Sequence, residues 1–117
     1  MSDSIVLYHN PRCSKSRQTL ALLESKGLEF ETVEYLKQPL DAKHVLRLSK
    51  MLGAPVAEMI RTGEKIYKEL EIPTSDRDEG TLAQLIADHP ILLQRPIVVN
   101  GKRAAIGRPP ESVLSLF

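Results

Sequence analysis

Asn100-Gly101 stands between two short β-favouring runs, Ile97-Val98-Val99 and Arg103 to Ile106. An Asn-Gly step in that setting is the strongest short-range hairpin signal a sequence carries, so an antiparallel pair is expected near one end of the chain. Near the other end, Ile5-Val6-Leu7-Tyr8 reads as a buried strand, closed by the turn residues His9-Asn10-Pro11. A helix is expected from about Ser14 to Lys26, with Thr19, Leu20, Leu22 and Leu23 on its apolar side and Gly27 in the place of a C-terminal cap. Leu28 to Leu36 alternates in part, with Phe30, Val33 and Tyr35 as strand positions, and Gln38-Pro39 breaks it.

A helical block follows. Asp41 is a candidate N-cap for a helix carrying Val45, Leu48, Met51 and Leu52, which stops at Gly53. Pro55 fits the first turn of a short helix with Val56, Met59 and Ile60. Glu64 to Leu70 reads as helical and Ile72-Pro73 as its end; Thr74 to Gly80 reads as a loop, and Thr81 to Asp88 as a helix closed by His89-Pro90. Beyond the hairpin, Gly107-Arg108-Pro109-Pro110 is a turn, and Glu111 to Leu116 starts a last helix. The order is βαβ, a helical block, a hairpin and a helix. A βαβ unit needs a parallel pair with a right-handed crossover. Adding the hairpin gives an α/β thioredoxin-like (glutaredoxin-like) fold: a four-stranded mixed sheet with flanking helices and a helical insertion. At 117 residues, 1–117 is expected to be a single domain.

Composition excludes several function classes. Sixteen Lys plus Arg against fifteen Asp plus Glu leave a formal charge of +1, so nothing in the bulk charge attracts nucleic acid or an anionic membrane. No apolar run approaches a membrane span, and no secretory signal is present at the N-terminus, so a cytoplasmic protein is expected. The one cysteine, Cys13, rules out an intrachain disulfide and a multi-cysteine zinc site. His9, His44 and His89 are too dispersed for a ligand motif, and no metal is expected.

Cys13 falls between the end of the first strand and the start of the first helix. The first-turn amides and the helix dipole point at such a position. Arg12, Lys15 and Arg17 surround it with cations and His9 lies upstream, so a depressed thiol pKa is expected, with a protonated His9 among the causes. Ser16 stands where a dithiol oxidoreductase of this type carries its second cysteine. Its hydroxyl cannot resolve a mixed disulfide, so a redox cycle at Cys13 needs a thiol from outside the chain.

The stretch His9-Asn10-Pro11-Arg12-Cys13-Ser14-Lys15-Ser16-Arg17, with Arg61, with His89-Pro90-Ile91-Leu92 leading into Arg95-Pro96-Ile97-Val98-Val99, and with Gly107-Arg108-Pro109, resembles the ArsC family over almost the entire chain. The CSKSR segment and the GRPP ending are most similar to its short YfgD-type branch. The family comprises glutathione- and glutaredoxin-dependent arsenate reductases with a thioredoxin-like fold. The resemblance implies Cys13 as the nucleophile, and Arg61, Arg95 and Arg108 as the arginines that hold the oxyanion. It implies that His9, Asn10, Ser16 and Arg17 stabilise the thiolate, and that Pro96 is a cis-proline beside the cysteine. It further implies arsenate as substrate, glutathione as co-substrate, glutaredoxin as partner, no tightly bound cofactor, and a role in arsenical resistance.

The chemistry suits these residue types. A thiolate approaching arsenate meets like-charge repulsion, which guanidinium forks and helix amides offset. As the arsenic–sulfur bond forms, one oxygen must leave, and placed cations favour that redistribution of charge. Two other readings stand beside this one. A monothiol glutathione-dependent oxidoreductase needs Cys13 and no arsenate preference. An Spx-like regulator that binds RNA polymerase senses redox state through a CxxC pair, which this chain lacks. Taken without the resemblance, the arginines read as solvated surface charges and His44 and His89 as helix-face and helix-end residues.

Overall fold

The computed structural model describes residues 5–70 and 78–117. The chain divides into two units, Met1–Gln38 with Arg95–Phe117, and Pro39–Gln94.

The first unit holds the sheet. Strands β1 (Ile5–His9), β2 (Glu31–Glu34), β3 (Ile97–Asn100) and β4 (Arg103–Ile106) form one four-stranded sheet in the order β2-β1-β3-β4. β1 and β2 are parallel, and β1–β3 and β3–β4 are antiparallel, which is the mixed sheet the element order predicts. Leu7, Tyr8 and His9 in β1 and Ile97, Val98 and Val99 in β3 are buried in unbroken runs, as central strands are. Helix α1 (Ser14–Ser25) crosses between β1 and β2 and ends where Gly27 takes φ +68°, so that its N–H reaches the Glu24 carbonyl at 3.0 Å. Leu23 of α1 packs with Leu7, Val98, Val113 and Leu116 in the core, and Leu20, Leu22 and Phe30 close around them. Truncating a fully buried leucine such as Leu7 removes about 2–5 kcal/mol.

Three sequence expectations change here. The second strand is shorter than Leu28 to Leu36, because the Glu34 carbonyl accepts the N–H groups of Lys37 and Gln38, each at 2.9 Å, and turns the chain. Tyr35 therefore lies past the strand end. In the hairpin, Asn100 belongs to β3 and pairs with Arg103, so the two-residue loop is Gly101-Lys102. Gly101 supplies the positive φ, +64°, that tight hairpin turns require. The Asn100 side chain instead donates to the Leu116 carbonyl at 2.7 Å. The last helix is a 3-10 segment, Pro110–Leu116, and starts one residue before the expected Glu111.

The second unit is helical. Helix α2 (Ala42–Leu52) opens on Asp41, whose carboxylate accepts the His44 N–H at 2.8 Å, and closes at Gly53, φ +68°. Pro55 precedes a 3-10 turn, Val56–Met59, rather than lying within it; Ile60 then extends and bridges to Leu93. Short α3 (Lys65–Glu69) and a second 3-10 turn, Pro90–Leu92, flank α4 (Glu79–Asp88). α4 starts before the expected Thr81 because Asp78 caps it and accepts the Thr81 N–H at 3.2 Å. α2 packs against α4, and their buried faces carry Val45 and Leu48, and Leu82, Ala83 and Ile86. The expected helix end at Ile72-Pro73 and the loop over residues 74–77 lie outside the described residues.

Candidate functional site

β1 ends in His9, and the chain then turns through Asn10-Pro11-Arg12 so that Cys13 N–H donates to the Asn10 carbonyl at 3.0 Å. The Asn10 side chain braces this loop by accepting the Arg12 N–H at 3.0 Å. Arg17 Nη1 reaches back from α1 to the Pro11 carbonyl at 2.8 Å. Cys13 is itself the N-cap of α1, half-buried and with extended backbone. As a thiol it makes no side-chain capping bond. Burial pushes its pKa up, but the Ser16 N–H, the Arg95 guanidinium and the Lys15 N–H outweigh that, and the net direction is down. The same amides a carboxylate would cap elsewhere are turned toward a sulfur that accepts them when ionised.

The basic side chains act differently from the sequence expectation. Arg12 and Lys15 are exposed, and Lys15 acts on the sulfur through its backbone amide. The surroundings of His9 also run against the expected protonated ring. Burial lowers the His9 pKa; Glu34 opposes and Arg17 adds to the lowering, so the net direction favours the neutral ring. Its Nδ1 lies 2.6 Å from Ser16 Oγ, and that hydroxyl also accepts the Asn10 N–H at 3.0 Å. Ser16 thus ties the end of β1, the loop and α1 together beneath the cysteine.

The second half of this site comes from the other sequence segment of the unit. Arg95-Pro96 enters β3 through a cis peptide bond, matching the sequence expectation for Pro96, and Arg108-Pro109 leaves β4 through another. Arg108 Nε donates to the Arg95 carbonyl at 2.8 Å, and its Nη2 lies 3.6 Å from Cys13 Sγ. Gly107 makes this approach possible. Its N–H donates to the Pro96 carbonyl at 2.9 Å, and a Cβ there would lie 2.6 Å from Thr19 Oγ1 and 2.8 Å from Pro96 Cγ. Thr19 is fully buried on α1 and donates to the Lys15 carbonyl at 3.0 Å.

Within the first unit the structure therefore gathers Cys13, His9, Asn10, Ser16, Arg17, Arg95, Pro96 and Arg108. Arg61 belongs to the second unit. There its N–H donates to the Leu92 carbonyl at 2.7 Å, and its Nε pairs with Glu64 Oε2 at 3.0 Å. Two residues of the site were missed in the sequence. Gly107 was legible only as a turn residue, and Tyr35, buried with Arg95 and Asn10 as polar neighbours, only as a strand position. The signal for Tyr35 was its place one residue beyond a strand parallel to β1, next in register to Asn10.

A cleft of about 330 Å³ opens beside the loop, lined in part by His9, Arg12, Glu34 and Lys37. Among the described residues, no group of three or more His, Cys, Asp or Glu could hold a metal ion, and no helix is long and apolar enough to cross a membrane.

Known proteins match this arrangement closely. The ArsC family profile matches residues 8–116. Protein YfgD of Escherichia coli (strain K12) is 49% identical over 117 residues, covering 99% of this chain and 98% of that one. An arsenate reductase of Haemophilus influenzae is 44% identical over 115 residues, 97% of this chain and 99% of its own. Among solved structures, an arsenate reductase from Vibrio cholerae superposes with a TM-score of 0.94 at 43% identity, covering the whole of both chains.

Proposed function

The chain belongs to the ArsC family, and from that premise we propose that it is an arsenate reductase whose nucleophile is Cys13. The observation that carries the reading is a cysteine at a helix N-cap, its thiolate favoured, with the Arg108 guanidinium 3.6 Å from the sulfur. Such a guanidinium favours the thiolate, and its planar fork also matches the oxygens of a tetrahedral oxyanion.

The reaction divides as follows. Arg95 and Arg108 hold arsenate oxygens, and Arg61 is assigned the same task on the ArsC resemblance alone. The Cys13 thiolate attacks arsenic, the arsenic–sulfur bond forms, and one oxygen leaves as water. Arsenic must then gain two electrons to become trivalent, and two thiols converted to one disulfide supply them. With one cysteine in the chain, at least one of these thiols comes from outside. Glutathione attacks the adduct, arsenite leaves, and glutaredoxin clears the mixed disulfide. His9, Asn10, Ser16 and Arg17 keep the cysteine loop in the geometry that favours the thiolate.

The test is arsenite formation after adding arsenate to the protein with glutathione and glutaredoxin. Turnover that needs all of these supports the reading. Thiol–disulfide exchange at Cys13 with no arsenite formed transfers it to the monothiol oxidoreductase. Stoichiometric recovery of RNA polymerase from extract, again without arsenite, transfers it to the regulator.

A further inference from the structure

Tyr35 is 1% exposed, and its hydroxyl is buried without a partner in hydrogen-bond geometry. Its position follows from the sheet. Glu34 pairs with His9 in the parallel register, so Tyr35 follows at the level of Asn10, in the loop that leads to Cys13. Its polar neighbours are the Arg95 guanidinium and the Asn10 side chain. A guanidinium has donors only. The Asn10 Oδ1 accepts the Arg12 N–H at 3.0 Å, and neither end of that amide stands in hydrogen-bond geometry to the phenol. The phenolic oxygen thus has donors beside it, while its proton is held by no acceptor in hydrogen-bond geometry. Burial raises the phenol pKa, so the hydroxyl keeps that proton. Buried donors left in this state are few in folded proteins, and each calls for an explanation.

An anion is the missing acceptor. We propose that the Tyr35 hydroxyl is an anion contact of the Cys13 site, donating its proton to an oxygen of an oxyanion held beside Arg95. The proposal rests on the reading of this site as an oxyanion site and adds a neutral donor to its cationic ones. A neutral O–H discriminates by direction rather than charge, so it favours an anion that presents an oxygen on the Tyr35 side.

The experiment measures how well arsenate, and sulfate as an unreactive probe, protect Cys13 from alkylation in wild type and in Tyr35→Phe. The expected result is protection that needs about tenfold to a hundredfold more anion in the variant. Protection is read against each protein's own alkylation rate without anion, because Tyr35 lies beside Arg95, which also acts on the sulfur. Protection at equal concentrations in both proteins overturns the proposal. Wild type that neither anion protects overturns the oxyanion reading itself, and the proposal falls with it. Should Tyr35→Phe fail to fold, the hydroxyl proton of Tyr35 in the wild type is followed by NMR. Slowed exchange on adding sulfate supports the proposal, and unchanged exchange at saturating sulfate overturns it.

Discussion

Helices α1 and α2 begin in different ways. α2 starts on Asp41, whose carboxylate accepts the His44 N–H at 2.8 Å, and α4 starts likewise on Asp78. α1 starts on Cys13, which caps nothing as a thiol. A carboxylate at such a position is a stabilising device, since it occupies an amide that would otherwise lack a partner. A thiol in the same place leaves the amides unspent until it ionises, when they favour the anion. The first arrangement fixes a helix and the second stores the helix start for chemistry.

The sharpest way to break this contrast is to give α1 an ordinary cap. Serine is a favoured N-cap, so at a pH below the folded thiol midpoint, where Cys13 is un-ionised, Cys13→Ser should raise stability by about 0.5–1 kcal/mol, and it should abolish arsenate reduction. Denaturant midpoints and arsenite formation read the two effects separately. Substantial turnover in the folded variant removes Cys13 from its role, and a loss of stability below the thiol midpoint removes the contrast with Asp41.

The next effect tests whether the sulfur end of α1 works with the arginine beside it. Arg108→Ala should lower efficiency at low arsenate by about tenfold to a hundredfold, as loss of a charged hydrogen bond does. Arg108→Lys keeps the charge without the fork and should retain more. An Ala variant matching wild type shows that the 3.6 Å approach to Sγ is idle.

At α2 the expectation reverses. Asp41→Ala should lower stability by about 1 kcal/mol and leave the Cys13 titration where it was. A thiol midpoint that moves with Asp41 shows that the two helix starts are not independent.

The smallest effect is in the pH dependence of stability. The folded Cys13 thiol titrates below its unfolded value, which is about 8.5. Its contribution is therefore fully present above about pH 8.5 and is lost as pH falls through the folded midpoint. Cys13→Ser should remove that rise between the two values, as read from denaturant midpoints along the pH axis. A slope that survives the substitution assigns it to another group.

Much of this was legible because it is written along the chain. The apolar run Ile5 to Tyr8, the stretch from Ser14 ending at Gly27, and the pair Asp41 and Gly53 around α2 each carry their own local signal, and the structure has all of them. What was not legible depends on partners distant in sequence. Asn100 reads as a turn residue until its pairing with Arg103 places it in β3. Gly107 reads as punctuation until Thr19 and Pro96 are found where its Cβ would be. The charge state of His9 also resisted reading. Neighbouring basic residues are visible in a sequence, whereas the burial that lowers its pKa is not. The i,i+3 spacing of Arg61 and Glu64 is visible in the sequence, whereas their 3.0 Å pairing depends on the side-chain geometry of the folded segment.

The serine beneath the cysteine bears on how this protein ages. Ser16 spends its hydroxyl on His9 and Asn10 and brings no second sulfur to the site. A sulfenic acid formed at Cys13 by peroxide has no second thiol in the chain to trap it as a disulfide, a common protection against further oxidation. Its lifetime is decided by how fast a thiol arrives from solution. When that supply falls, the next step is the sulfinic acid, which ordinary thiols do not reverse. The working life of each molecule is thus set by the reducing pool around it.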